Sequence, residues 1–183
     1  MADDYARITD SAHITPLPAH MSKDEAILLA RRNGAIVIEG RARVAKYGVG
    51  DTEPYEVIDS VPNLALTAGI TLLWQLAAGL GGTAWSAANA RIAVGTGTTA
   101  AVVGNTALQT ESARQIVDAA PNVSGASVSF VATFGTGSAN VNWRELGVTN
   151  ASSGGTFLNR LVQDFGTKSS ASSWVATLTL TAA

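Results

Sequence analysis

Cysteine is absent from this chain, which excludes disulfides and thiolate metal sites and leaves the redox compartment undetermined. Histidine occurs only as His13 and His20. Two histidines seven apart with no other ligand make a weak case for a metal site, and in the arm neither is placed to serve a serine or carboxylate on a scaffold. Charge is scarce as well: Asp, Glu, Lys and Arg reach 14% of residues, against about a quarter in an ordinary globular protein. The net charge of −2 leaves no electrostatic footprint for nucleic acid. A long apolar run is also missing. The most apolar window, NLALTAGITLLWQLAAGLGG, is uninterrupted only from about Ala65 to Leu80 and ends in glycines. It is too short and broken to span a membrane and is expected to be a buried helix. The opening MADDYARITD is acidic and has no apolar centre, so no secretory signal is expected.

What the chain has in quantity is small, neutral and β-forming. Apolar residues make 46% of its 183 positions, enough for one domain with a sizeable core. Ala, Gly, Ser and Thr supply close to half of the sequence. Small uncharged surfaces are poorly protected against association, so the composition suits a chain that packs against other chains. From Ser127 to Ala183, segments such as SVSFVATF, NWRELGVTN, TFLNRLVQDF and WVATLTLTA alternate with Gly/Ser/Thr/Asn turns. That spacing predicts an antiparallel β-sandwich, jelly-roll-like, joined by short polar loops.

Residues 1–21 read as an extended N-terminal arm, because they lack periodicity and carry Pro16 and Pro18 around Leu17. Tyr5, Ile8, Ile14, Pro16, Leu17 and Pro18 are its candidate contact residues. Residues 22–183 are expected to form a single β-sandwich domain with helices near 23–33 and 67–79. Ser22 and Glu25 have the spacing of a capping box, Ile27, Leu28 and Ala30 supply an apolar side, and Gly34 suits the helix end. The stretch AIVIEGRARVAKY starts apolar and then alternates, with Ala42 and Val44 inward and Arg41 and Arg43 outward. Arg41, Arg43 and Lys46 together would put three cations on one solvated face. EPYEVIDSVP is its hairpin partner, with Pro54 and Pro62 at the ends, where missing donors are tolerated. Thr67 is the expected N-cap of the second helix, which its apolar content predicts to be mostly buried. Of the four tryptophans, Trp74 is expected in that helix's core face, and Trp143 and Trp174 on strands that pack across the sandwich. Trp85, among small residues, is the candidate exposed aromatic at an interface, where aromatic anchors are enriched, with local core packing as the more common alternative.

Catalytic patterns do not emerge. The run Gly95-Thr96-Gly97-Thr98-Thr99 invites a phosphate-loop reading, but the lysine and the third glycine are missing, so a tight inter-strand loop is expected. Glu145 and Asp164 fall on strands, where ion pairs with Arg144 or Arg160 are the default. No calcium-loop spacing occurs. The expectation is therefore no catalytic, cofactor-binding or metal-binding residue, and no enzyme activity.

These phrases, in order, carry a resemblance: VIEGRARVAKYG, VPNLALTAGITLLWQLAAG, NARIAVGTGTTAAVVGNTALQTE, FVATFGTGSANVNWRELGVTN and GGTFLNRLVQDFGTKSSASSWVATLTLTAA. Across residues 36–183 the chain resembles a family of tailed-bacteriophage virion structural proteins. The resemblance implies a virion component assembled in the host bacterial cytoplasm, with itself (as a dimer or trimer) and the major capsid protein as partners. The low net charge and the short, broken apolar window leave neither nucleic acid nor membrane as an expected partner. The leading expectation is a capsid decoration, or cement, protein that bridges neighbouring shell subunits, with the arm as a clasp. The alternative is a neck, collar or tail-fibre adaptor that binds a host glycan through exposed aromatics near Trp85 or Trp143. A virion glycan hydrolase would need a separated acid pair at a cleft, and the sequence offers none.

Overall fold

The computed structural model describes residues 37–60 and 62–182, together with Glu25, Leu28 and Arg32. The chain divides into two compact units, Met1–Val37 and Ile38–Ala183. In the first, the three described residues are helical and exposed, within the expected helix 23–33. The arm and its six candidate contact residues lie outside the described residues, as do Ser22 and Gly34.

The second unit is mainly β, in two five-stranded antiparallel sheets. Its strands are β1 (Ile38–Gly48), β2 (Glu56–Asp59), β3 (Leu64–Ala65), β4 (Arg91–Gly95), β5 (Glu111–Ile116), β6 (Asn122–Ser124), β7 (Ser127–Phe134), β8 (Asn142–Thr149), β9 (Asn159–Thr167) and β10 (Ser172–Ala182). One sheet runs in the order β2-β1-β10-β7-β6, the other β3-β9-β8-β4-β5. This is the expected β-sandwich. Each strand-rich segment of the last third becomes one strand, because period-two alternation lets one face enter the core while the other meets solvent. On β10, Trp174, Ala176, Leu178 and Leu180 are buried, while the intervening Val175, Thr177, Thr179 and Thr181 are only half-buried. Along its whole length β10 pairs with β1, from Ile38↔Ala182 to Gly48↔Ser172.

The inner faces meet in one large cluster that includes Val44, Ile92, Phe134, Trp143, Leu146, Leu161 and Trp174. Trp143 of β8 and Trp174 of β10 meet edge-on with ring centroids 4.9 Å apart, and Phe134 stands edge-on to Trp143 at 4.6 Å. The expected packing across the sandwich is thus realised by one aromatic stack.

Strand parity corrects the basic face. Arg41 and Arg43 point outward, but Lys46 differs from them by an odd number of residues and falls on the inner face. It is 5% exposed, with Nζ 2.7 Å from Glu56 and 4.4 Å from the Trp174 ring centroid.

A single helix, α1 (Thr67–Ala77), is found among the described residues of this unit. Its N-cap is Leu66, without a side-chain cap, so Thr67 is the first helical residue and not the cap. Nor is the helix mostly buried: only Gly69 and Leu72 are, and Trp74 is 59% exposed. An almost uniformly apolar helix gives no indication of which stripe meets the protein, and tertiary packing decided it. No helix of the described residues is long and apolar enough to cross a membrane.

At Gly69, α1 rests directly on the backbone of residues 157–158. A β-carbon there would stand 2.6 Å from Leu158 Cα and 2.7 Å from the Phe157 carbonyl oxygen. Gly69→Ala gains about 1 kcal/mol of helix propensity, but forces backbone apart, which costs about 1–3 kcal/mol. The clash wins because neither contact is the end of a flexible side chain. A lowered urea midpoint for this variant is the expected result, and an equal or raised midpoint would mean that α1 shifts freely.

Candidate functional site

Sheet β3-β9-β8-β4-β5 is covered on its outer face as well as its inner one. Leu66, Ala93, Leu108 and Phe157 form a second, smaller core there, under the loop joining β4 to β5. Beneath this loop lies the most concentrated polar arrangement among the described residues. On β8, Trp143, Leu146 and Val148 enter the main core, while Glu145 faces the loop; a register irregularity between Trp143 and Glu145 accompanies the change of face. Glu145 is 0% exposed and Arg160, on the neighbouring β9, is 2% exposed. Arg160 Nε and Nη2 each lie 2.9 Å from Glu145 Oε2.

Both partners use their remaining capacity on the loop. Gly97 N–H (3.1 Å) and Thr110 N–H (2.6 Å) donate to Glu145 Oε1, and Gln109 N–H donates to Oε2 at 2.8 Å. Arg160 donates to Asn105 Oδ1 at 2.9 Å and to the Thr99 carbonyl at 3.0 Å. The run Gly95–Thr99 is thus the expected inter-strand loop, and the anion its amide cradles is the protein's own Glu145. Glycine at 97 follows from that approach, since a β-carbon would stand 2.5 Å from Glu145 Oε1.

Burial by itself raises the Glu145 pKa. The Thr110 and Gln109 amides and the Arg160 guanidinium outweigh it, so the carboxyl is held below its ordinary range. Asp164 pairs with Arg144 at 3.4 Å, both well exposed. The sequence had narrowed these four residues to ion pairs, and the register between β8 and β9 decided who pairs with whom.

Other buried polar groups are also spent on holding loops. Lys168, 1% exposed, donates to the Gly135 carbonyl at 2.7 Å and to Asn140 Oδ1 at 3.0 Å, closing the β7–β8 turn, and burial lowers its pKa. Arg114 pairs with Glu111 and donates to the carbonyls of Ala151 and Gly154, which ties the β8–β9 loop to β5. No group of three or more His, Asp or Glu residues able to hold a metal occurs among the described residues.

As an interface candidate Trp85 requires a correction, and the alternative of core packing is the one realised. It is 8% exposed, belongs to the main core, and its Nε1 donates to the Thr156 carbonyl at 3.2 Å. Small neighbours let the chain fold tightly over the indole, and did not leave it at the surface. Trp143 is fully buried too, so neither indole named for glycan binding is exposed. The exposed tryptophan is Trp74, which sequence reasoning had placed in the core.

Trp74 belongs to a surface with a distinct character. Between Asp59 and Glu111 the only charged residue is Arg91. Within that stretch Trp74 (59%), Leu80 (78%), Val102 (56%) and Val103 (56%) are exposed. The Thr67 N–H bonds to the Val103 carbonyl at 2.9 Å, which joins the valine loop to the start of α1. Charge depletion over this stretch was legible in the sequence, whereas the exposure of its apolar residues was not. No protein-family model, curated protein or solved structure matches this chain.

Proposed function

We infer that this chain is a non-enzymatic structural component of a tailed-bacteriophage virion, a decoration protein that binds the outside of the capsid and bridges neighbouring shell subunits. The phage assignment rests on the resemblance across residues 36–183. The observation that carries the adhesive role is the uncharged surface of α1 and the valine loop, with Trp74, Leu80, Val102 and Val103 in solvent. Interface centres are depleted of charge and enriched in such aromatic anchors. The buried ionic groups support the same reading. Glu145, Arg160 and Lys168 each have their bonds inside the sandwich, holding loops in place and leaving these groups committed to structure.

Copy number tests this reading. Quantitative mass spectrometry of purified virions is expected to find the chain in numbers comparable with the major shell protein, and immunogold labelling is expected on the head. A copy number far below that of the shell protein, with label at the neck or tail, would replace decoration by the adaptor reading. Absence from virions would overturn both.

A further inference from the structure

We propose that the cleft at Arg160, formed with the loop joining β4 to β5, binds a small oxyanion, a phosphate or carboxylate group, through the side-chain amides of Asn105 and Gln109. The cleft has a volume of about 330 Å³, and its lining includes Thr99, Asn105, Thr106, Leu108, Gln109 and Arg160. The bonds that hold the loop also decide how both carboxamides are turned. Asn105 Oδ1 accepts from the Val102 N–H and from Arg160 Nη1, each at 2.9 Å. Gln109 Oε1 accepts from the Thr99 N–H at 3.0 Å. Every one of these partners is a donor, so the oxygen end of each amide is fixed and the nitrogen end is left over. Neither Asn105 Nδ2 nor Gln109 Nε2 makes a hydrogen bond among the described residues.

The buried ion pair adds its polarity to these donors. Arg160 lines the cleft and Glu145 does not. The carboxylate lies behind, with both oxygens taken by the guanidinium and three loop amides. The pair therefore turns its positive end to the cleft, and no Asp or Glu among the lining residues opposes it. Two unused amide nitrogens beside a positive end match a ligand group that only accepts hydrogen bonds. A cation would face the guanidinium with no carboxylate to hold it. A neutral polyol must donate as well as accept, and among the lining side chains only the Thr99 and Thr106 hydroxyls could receive its hydrogens. The site belongs to the loop itself and does not depend on the virion reading.

The test follows the side-chain amide signals of Asn105 and Gln109 in proton–nitrogen NMR spectra of the full chain. Inorganic phosphate is titrated in one arm and acetate in the other, with chloride holding the ionic strength constant. Saturable shifts of both signals are expected, and the anion that saturates at the lower concentration names the group. Gln109→Glu and Asn105→Asp keep the oxygen that holds the loop and replace the free amide nitrogen with a carboxylate oxygen. Each is expected to leave backbone signals outside the loop unchanged and to weaken binding by about tenfold or more, because a donor to the anion becomes a like charge. Thr106→Asp, which adds a charge at the exposed rim without touching the loop's bonds, is expected to weaken it as well. No saturable shift with either anion overturns the proposal. Unchanged affinity in Thr106→Asp and in the folded amide variants overturns it too, since the anion then binds elsewhere. Saturation by glycerol as readily as by phosphate would assign the cleft to neutral polyols and reject the oxyanion.

Discussion

Arg160→Met is expected to lower the stability of the sandwich by about 3–5 kcal/mol at neutral pH, because it strands the fully buried Glu145 carboxylate without its countercharge. For an isolated buried pair, replacing both partners with apolar residues is often harmless. Here that remedy is expected to fail. Glu145 also accepts from the amides of Gly97, Gln109 and Thr110, and each buried donor left unpaired costs about 1–3 kcal/mol. Glu145→Leu/Arg160→Met should therefore be less stable than the wild type by chemical denaturation, and a double variant as stable as the wild type would show that the loop does not depend on the carboxylate.

The pH dependence supplies a second readout. In the wild type the folded-state pKa of Glu145 lies below its unfolded value. Its contribution is therefore complete above the ordinary carboxylate range and is lost as pH falls through the lowered folded value. In Arg160→Met the guanidinium no longer opposes burial, so the carboxyl takes up a proton more readily and the stranded charge is relieved. The gap between variant and wild type should be widest near pH 7 and narrow by about pH 4. A gap of constant size over that interval would mean that the loss comes from packing or from Asn105 and Thr99, and not from the charge.

Trp143→Ala is expected to cost about 3–5 kcal/mol, as for other large aromatic residues truncated in a core. The indole is 0% exposed, touches Phe134 and Trp174 edge-on, and donates from Nε1 to the Ala139 carbonyl at 2.9 Å. Trp174→Ala should fall in the same range but lose less, because Trp174 Nε1 has no hydrogen-bond partner to give up. The two rings are in contact, so the double variant should depart from additivity by about 0.5–1.5 kcal/mol. Urea unfolding of the four proteins checks this. An unchanged midpoint for Trp174→Ala, with assembly lost, would put that ring at a contact between molecules.

Much of the fold was legible because a strand is a local pattern. Alternation in WVATLTLTA and SVSFVATF can be read without knowing the partner strand, and each yields one strand of the expected register of faces. Arg41 and Arg43 were placed outward by the same logic, and Lys46 obeys that logic too once its parity is counted. The candidate site was only half legible. Glu145, Arg160 and the Gly95–Thr99 loop were each singled out, yet nothing local says that the carboxylate of one strand fills the amide cradle of a loop about 50 residues away.

The sequence by itself determined the class of this protein: short alternating segments, polar turns and little charge specify an antiparallel sandwich, because side-chain direction on a strand repeats every two residues whatever lies opposite. Tertiary structure alone decided which tryptophan is outside. Trp74 lies in a helix apolar all round and Trp85 among residues too small to show a face, so neither carries a pattern. Gly69 pressed against the 157–158 backbone sets which side of α1 is covered, and that contact leaves Trp74 in solvent while Trp85 closes the core.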